Sequence, residues 1–128
     1  MDYAWLSARD ALAIHEEQLA EHGGADGVRD LGLLESALAR PQNLLAYAKP
    51  DFADLAGAYA AGVARNHPFV DGNKRVGYVM LETFLELNGA TFPVSDTDAV
   101  IATLKLAAGD SPYEEFIAWV RSNARVPS

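Results

Sequence analysis

The chain has 128 residues, half of them hydrophobic, so it is long enough for one domain with a real core and disorder is not expected. It has no cysteine, no signal-peptide pattern and no apolar run of membrane-spanning length, which excludes a disulfide framework, a thiolate metal site and a membrane span, and fits a reducing cytosol. A formal net charge of −8 with scattered lysines and arginines disfavours nucleic acid as the main partner, but a small anionic ligand could bind at one local cationic site.

Periodic apolar positions separated by turn signals predict an all-α fold, a single domain of about six helices. The first helix is predicted to begin after Ser7 as its cap and to run to about Glu21, with Gly23 as a left-handed terminator. His15 and His22 lie seven residues apart on this helix. We interpret them as two partly exposed histidines, because no third ligand for a metal is evident.

The second helix is predicted to begin after Asp30 as its N-cap and to end at Pro41, because a proline removes a backbone donor and clashes with the preceding turn. We interpret Arg29 as part of a surface pair beside this cap. The third helix is capped by Asp51 and runs to Asn66. Its small or apolar residues lie on all sides, which indicates a central, buried helix.

The remaining three helices are predicted over residues 73–88, from about 95 to near 109, and after a capping box at residues 111–114. Pro112 would occupy the first position of the last helix. We expect residues 125–128 to form a frayed tail.

The candidate chemistry is concentrated in the stretch HPFVDGNKR at residues 67–75, which predicts a loop leading into a helix. The backbone N–H groups at a helix start attract anions, and Lys74 and Arg75 add positive charge there. Asp71 is a hard oxygen ligand suited to Mg²⁺, and His67 can accept a proton near neutral pH. Each residue alone is more often part of a turn, a helix end or a solvated face, but together they indicate transfer of a group from a nucleotide.

The same stretch resembles the signature of the Fic/Doc family, His-Pro-Phe-x-[Asp/Glu]-Gly-Asn-x-Arg, and residues 27–41 resemble its Doc (death-on-curing) branch. The resemblance extends over about residues 14–89 and implies the small Fic fold, with the motif loop between two central helices. Lys74 stands where AMP-transferring members usually carry glycine, and Tyr78 stands where they carry a second arginine. Both differences favour the Doc branch.

The Doc branch implies a protein kinase that uses ATP and Mg²⁺ to phosphorylate a threonine of elongation factor Tu, which blocks translation. Carried over by position, His67 would activate the acceptor hydroxyl, Asp71 would hold Mg²⁺ and orient His67, and Lys74 would take part in catalysis. A wider set would bind the phosphates of ATP: Gly72, Asn73, Lys74, Arg75 and, by a weaker match, Arg65.

Two alternatives stay open, which are an AMP transferase and an inactive binding partner of an antitoxin. The resemblance also implies a cytoplasmic protein of a bacterium or archaeon, restrained by a cognate antitoxin whose tail folds as a helix in an apolar groove near the motif. A self-inhibitory helix of the pattern Ser/Thr-x-x-x-Glu-x-x-Gly/Asn is not predicted. Ser111 and Glu115 have the first spacing, but Ala118 occupies the last position.

Overall fold

The computed structural model describes residues 3–109 and 112–126 and is all-α, as the sequence predicts. Its six helices are α1 (Ala8–His22), α2 (Leu31–Tyr47), α3 (Phe52–Asn66), α4 (Asn73–Leu87), α5 (Asp96–Ala108) and α6 (Tyr113–Asn123). Within these described ranges there is no strand, and extended pairing is limited to two isolated antiparallel bridges, Val28 with Phe69 and Thr91 with Arg125. None of the helices in these ranges is long and apolar enough to cross a membrane.

Helix α3 lies at the centre of the bundle, which confirms the interpretation of its small side chains. Every residue from Leu55 to Ala64 is buried, and the helix packs against α2, α4, α5 and α6. Gly77 allows α4 to approach closely, because a Cβ at this position would lie 2.9 Å from the main-chain oxygen of Ala60. The close pairing of α3 and α4 fixes the distance between the two ends of the motif loop.

Helix α2 shows that the predicted end at Pro41 is wrong, because the helix continues through this proline to Tyr47. Pro41 is buried together with Leu34 and Ala37. Ala37 lies against α3, because a Cβ added at Gly62 would lie 3.1 Å from the Cβ of Ala37. Burial of this face against α3 therefore outweighs the lost donor and the steric clash that proline brings to a helix.

Four predicted helix starts are confirmed by side-chain caps. The capping side chains, each of which accepts a backbone N–H of the first turn, are Ser7, Asp30, Asp51 and Ser95. Helix α6 begins at Tyr113, so Pro112 precedes its first residue instead of occupying it. Ser111, the capping residue predicted for this helix, lies outside the described residues.

Two predictions about chain segments beyond helix ends are wrong. Gly23 ends α1 as predicted, but its φ of 76° and ψ of −175° are not the left-handed helical conformation expected for it, and the next glycine, Gly24, packs against Asp71 of the motif loop. Arg125, predicted to lie in a frayed tail, exchanges two main-chain hydrogen bonds of 2.9 and 2.8 Å with Thr91. A ring contact between Phe92 and α6 brings these two segments together. Residues 127–128 of the predicted tail lie outside the described residues.

Candidate active site

The motif loop connects α3 to α4 and is anchored from the core side. Phe69 has no exposed surface, and its ring stacks on the imidazole of His15 at 4.1 Å between centroids. Asn73 closes the loop from within, because its Oδ1 accepts the N–H of Phe69 at 2.9 Å and its Nδ2 donates to the carbonyl of Phe69 at 3.0 Å. These contacts leave the polar side chains of the loop facing outward.

His67 ends helix α3 in a left-handed backbone conformation, with φ 51° and ψ 54°. It is the only non-glycine residue with positive φ within residues 3–109 and 112–126. This conformation costs a non-glycine residue about 1 kcal/mol or more, so the surrounding contacts must hold it in place. The turn exposes the His67 side chain beside the start of α4.

An open groove of about 430 Å³ lies between the motif loop and α5. His67 and Lys74 line one side of it. The other side consists of mostly apolar residues of α5: Ile101, Leu104, Lys105, Ala107 and Ala108. An imidazole and an ammonium group thus share a groove of the size that small-molecule ligands occupy in proteins.

Helix α4 begins without a side-chain cap, in contrast to α1, α2, α3 and α5. Its N-cap residue, Gly72, has a left-handed backbone, and its first turn contains no acidic residue. The N–H groups of such a turn have no partner within the helix and attract an anion together with the helix macrodipole. Because Lys74 would be unfavourable there without an anion, the helix start fits a phosphate group.

The Asp71 carboxylate is held by two backbone groups. Its Oδ1 accepts the N–H of Gly72 at 2.9 Å, and its Oδ2 accepts the N–H of Ala25 at 3.3 Å. A side chain at Gly24 would crowd this carboxylate, because a Cβ there would lie 3.0 Å from Oδ2. The predicted orientation of His67 by Asp71 stays a prediction.

Asp71 could hold a Mg²⁺ ion only as its single protein ligand. Across residues 3–109 and 112–126, no group of three or more histidine, aspartate or glutamate side chains is placed to hold a metal ion. An exposed single carboxylate such as Asp71 is, however, a common arrangement for Mg²⁺ that takes its other ligands from nucleotide phosphates and water.

Arg75 lies on a different side of α4 from the groove that contains His67. Its Nη1 lies 3.3 Å from Nε2 of His22 on α1. Here it faces a second groove of about 240 Å³, whose carboxylates are those of Glu17, Glu21, Glu82 and Asp96. The structure therefore places the two adjacent cations of the motif, Lys74 and Arg75, in separate grooves.

Arg65 lies near His67 in sequence but is engaged with α6. Its guanidinium carbon lies 5.5 Å from the centroid of the Tyr113 ring, and that of Arg40 lies at the same distance. Burial raises the pKa of Tyr113, so the ring remains a neutral phenol that both arginines contact. Binding of phosphate by Arg65 stays a prediction.

His15 holds the motif loop, and the prediction that it is partly exposed is wrong. It is 3% exposed, and its Nε2 lies 3.0 Å from the main-chain carbonyl oxygen of Asp71. The bond requires a proton on Nε2, because a carbonyl can only accept. The spacing of Ala11, Ile14 and His15 at i, i+3 and i+4 was the available signal of burial.

Arg29 also contacts the motif, although the sequence analysis assigned it to the surface. Its Nε donates to the carbonyl of His67 at 2.7 Å, and its Nη2 donates to the carbonyl of Asn66 at 2.9 Å. Both bonds bridge 37 or more positions along the chain, so no local pattern could indicate them.

The fold and the site define a class of protein in which a loop between two central helices presents a histidine beside a helix start that has no side-chain cap. Comparison with known proteins gives this class its family: the Fic/DOC family matches residues 5–85, and the chain belongs to it. The resemblance found in residues 67–75 is thereby confirmed.

Two relatives fall in the Doc branch by name. Toxin Doc of Mycolicibacterium smegmatis (strain ATCC 700084 / mc(2)155) is 48% identical over 69 residues, which are 52% of this chain and 53% of that protein. Protein kinase doc of Escherichia phage P1 is 32% identical over 85 residues, which are 66% of this chain and 68% of that protein. The chain thus matches about half the length of the first relative and two thirds of the second.

Proposed function

We propose that this chain is a Doc-type toxin with protein kinase activity, which transfers the γ-phosphate of ATP to a hydroxyl group of a target protein. The observation that carries the proposal is that His67 and Lys74 line one open groove at the uncapped start of α4. Phosphoryl transfer depends mainly on positioning and on electrostatic stabilisation of the transferred group. A base, an anion-binding helix start and a cation in the same groove meet those needs.

In the proposed reaction, the imidazole of His67 accepts the proton of the acceptor hydroxyl. The hydroxyl oxygen forms a bond to the γ-phosphorus while the bond between that phosphorus and the β–γ bridging oxygen breaks, so that the products are a phosphorylated protein and ADP. Lys74 would stabilise the charge on the transferred group, and Asp71 would be the protein ligand of Mg²⁺. ATP and Mg²⁺, when bound, would supply the phosphoryl group and neutralise its charge.

The other predicted phosphate-binding residues would contribute in different ways. Nothing lies within 4 Å of the place where a Cβ of Gly72 would be, so the backbone there is open to a phosphate. Asn73 would contribute through its backbone N–H, since its side-chain amide is bonded to Phe69. Arg75 and Arg65 would have to leave their present neighbours to reach a phosphate.

AMP transfer is the second candidate activity, and one contact and one residue identity weigh against it. Tyr78, at the position of the second arginine of AMP-transferring members, donates its hydroxyl to Oε2 of Glu82 at 2.8 Å. Burial and this bond raise its pKa, so it stays a neutral phenol, and a phenol cannot supply the positive charge that an arginine would bring to a second phosphate. Lys74 adds a cation where those members have a flexible glycine. We therefore favour transfer of the γ-phosphate.

By resemblance to Doc toxins, the proposed target is elongation factor Tu, and the proposed effect is a block of translation in the cytoplasm. The names of the two relatives, Toxin Doc and Protein kinase doc, agree with a toxin that acts as a kinase. The proposed partner is a cognate antitoxin whose tail lies as a helix in the groove beside α5. Ile101 and Leu104, which are 46% and 44% exposed, offer it an apolar wall close to His67.

The proposal is tested by incubating the purified chain with ATP, Mg²⁺ and elongation factor Tu of its host, followed by intact-mass measurement of the factor. Addition of one phosphate supports the kinase, and addition of one adenylate group supports the AMP transferase. If the factor stays unmodified and ATP is not consumed while the chain still binds its antitoxin, the chain is an inactive binding partner. Omission of Mg²⁺ is the matched control.

A further inference from the structure

The backbone of His67 is in a conformation that its own sequence does not favour. A glycine adopts positive φ readily, whereas a histidine in this region is strained and returns to negative φ unless its neighbours prevent it. His67 also terminates α3, where the last carbonyl groups of the helix have no intrahelical partner. Two local problems, a strained residue and unpaired carbonyls, therefore coincide at the residue that carries the imidazole.

The segment of residues 27–30, which we call the strap, resolves both problems. The N–H groups of Arg29 and Asp30 donate to the carbonyl of Pro68 at 2.7 and 3.0 Å, and the N–H of Val70 donates to the carbonyl of Gly27 at 3.0 Å. The strap thus fixes the chain immediately after His67 through three main-chain bonds.

The Arg29 side chain fixes the chain at His67 itself. Its Nε and Nη2 donate to the carbonyls of His67 and Asn66, two consecutive residues, at 2.7 and 2.9 Å. Hydrogen bonds from an ionised donor are stronger than neutral ones, and a cation is favourable at a helix C-terminus. The planar guanidinium meets the two carbonyls with two different nitrogens in a fixed geometry, whereas an ammonium group carries all its donors on one nitrogen at the end of a flexible chain.

We propose that Arg29 is a positioning residue, which locks the left-handed backbone of His67 and thereby aims the imidazole into the groove that contains Lys74. Arg29 does not line that groove, and its guanidinium acts through the carbonyl groups of Asn66 and His67. Loss of the guanidinium releases the strained backbone and misdirects the imidazole. The anion site at the start of α4 remains intact, because Gly72 and Lys74 belong to another helix.

The effect on transfer rests on the proposed function, but the effect on the backbone does not. We therefore test the two separately with Arg29→Ala, Arg29→Lys and the control Arg9→Ala, which removes an exposed arginine of α1. The first readout is amide hydrogen exchange at Asp30 and Val70, measured by NMR on the whole chain. We expect Arg29→Ala, which removes two hydrogen bonds from a charged group, to speed exchange at both by at least roughly tenfold to a hundredfold, and Arg9→Ala to leave it unchanged.

The second readout is phosphoryl transfer. We expect Arg29→Ala to lower kcat by about a hundredfold, the loss that follows a small misplacement of a catalytic group, while the affinity for ATP stays within about twofold of wild type. Added guanidinium ion at non-denaturing concentration should restore part of the rate of Arg29→Ala but none of that of His67→Ala. Arg29→Lys should remain impaired, and wild-type rates in Arg29→Lys would overturn the role of the fork.

Unchanged exchange at Asp30 and Val70 in Arg29→Ala would overturn the inference, whatever the transfer rate. Faster exchange together with unchanged transfer in Arg29→Ala would also overturn it, because the position of the imidazole would then not depend on the contacts of the Arg29 guanidinium. If the wild-type chain transfers no group at all, the proposed function fails, and the exchange measurement alone still decides whether Arg29 holds the backbone of His67.

Discussion

His15 and Phe69 form a stacked pair of rings, 4.1 Å apart with 12° between their planes, that joins helix α1 to the motif loop. Both rings are buried, and Nε2 of His15 also holds the carbonyl of Asp71 at 3.0 Å. The loop is thus fixed at two points by one side chain from a different helix. Its geometry depends on α1 as much as on the two helices that it connects.

Replacement of His15 tests this relationship through stability. We expect His15→Ala to lower the free energy of unfolding by about 2–4 kcal/mol, because it removes a ring contact and a hydrogen bond and leaves a cavity. His15→Phe keeps the ring and should lose less. Urea denaturation measures both, with the exposed His22 as a matched site whose replacement by alanine should change stability by less than about 0.5 kcal/mol. Equal losses at the two histidines would contradict the contact.

Lys74→Gly tests whether the choice of transferred group depends on this cation. We expect γ-phosphate transfer to fall by about a hundredfold, since loss of one preorganised charge costs on the order of 3 kcal/mol in the transition state. The remaining product should contain a larger share of AMP transfer. Lys49→Ala, in the exposed connection between α2 and α3, is the control. An unchanged γ-transfer rate in Lys74→Gly would show that Lys74 is only a surface charge.

Gly77→Ala tests the close approach of α3 and α4. The new Cβ would meet the main-chain oxygen of Ala60 at 2.9 Å, and a backbone atom cannot move aside cheaply. We expect a loss of about 1–3 kcal/mol in unfolding free energy. Gly57→Ala is the comparison, because there the new Cβ clashes with the terminal methyl group of the Ile117 side chain, which can rotate away, and with no backbone atom. If Gly57→Ala costs as much as Gly77→Ala, the backbone contact is not what limits this helix pair.

An ion pair at the start of α3 makes the stability of the fold depend on pH. Hydrogen bonds from Arg121, with Nε 2.7 Å from the carboxylate, lower the pKa of Asp51 from its ordinary 3.8 to about 2. The folded pKa lies below the unfolded one, so this stabilisation is complete above pH 3.8 and is lost as pH falls through about 2. Between about pH 6 and about pH 2, we expect the free energy of unfolding to fall more for the wild type than for Asp51→Ser, which keeps the cap without the charge. Equal losses would contradict this ion pair.

The helices and the motif were predictable because their signals are local. Caps such as Ser7 and Asp51 identify helix starts, and a run of small residues identifies the buried helix α3. Pro41 was mispredicted because its local cost is offset by burial against α3, which only the tertiary structure shows.

The parts of the site that were missed depend on long-range contacts. His15 contacts Asp71, which lies 56 positions away in the sequence, and Arg29 contacts His67, which lies 38 positions away. The residues that do the proposed chemistry could be identified from the sequence, because their order around Gly72 is specific to the motif. The separation of Lys74 and Arg75 into two grooves could not be predicted from the sequence. Neighbouring residues point in different directions from a helix, but which groove each one enters depends on where α1 and α5 lie.

The most direct measurement follows the label of ATP through the proposed reaction. The chain and its His67→Ala variant are incubated with elongation factor Tu and Mg²⁺, using ATP labelled in either the γ or the α position, and the label on the factor is counted. We predict that the wild type transfers γ label and not α label, and that His67→Ala transfers about 10²–10⁴-fold less, as expected for loss of a general base, while it still binds ATP. Transfer of α label by the wild type, or γ transfer by His67→Ala at a wild-type rate, would contradict the proposed kinase mechanism.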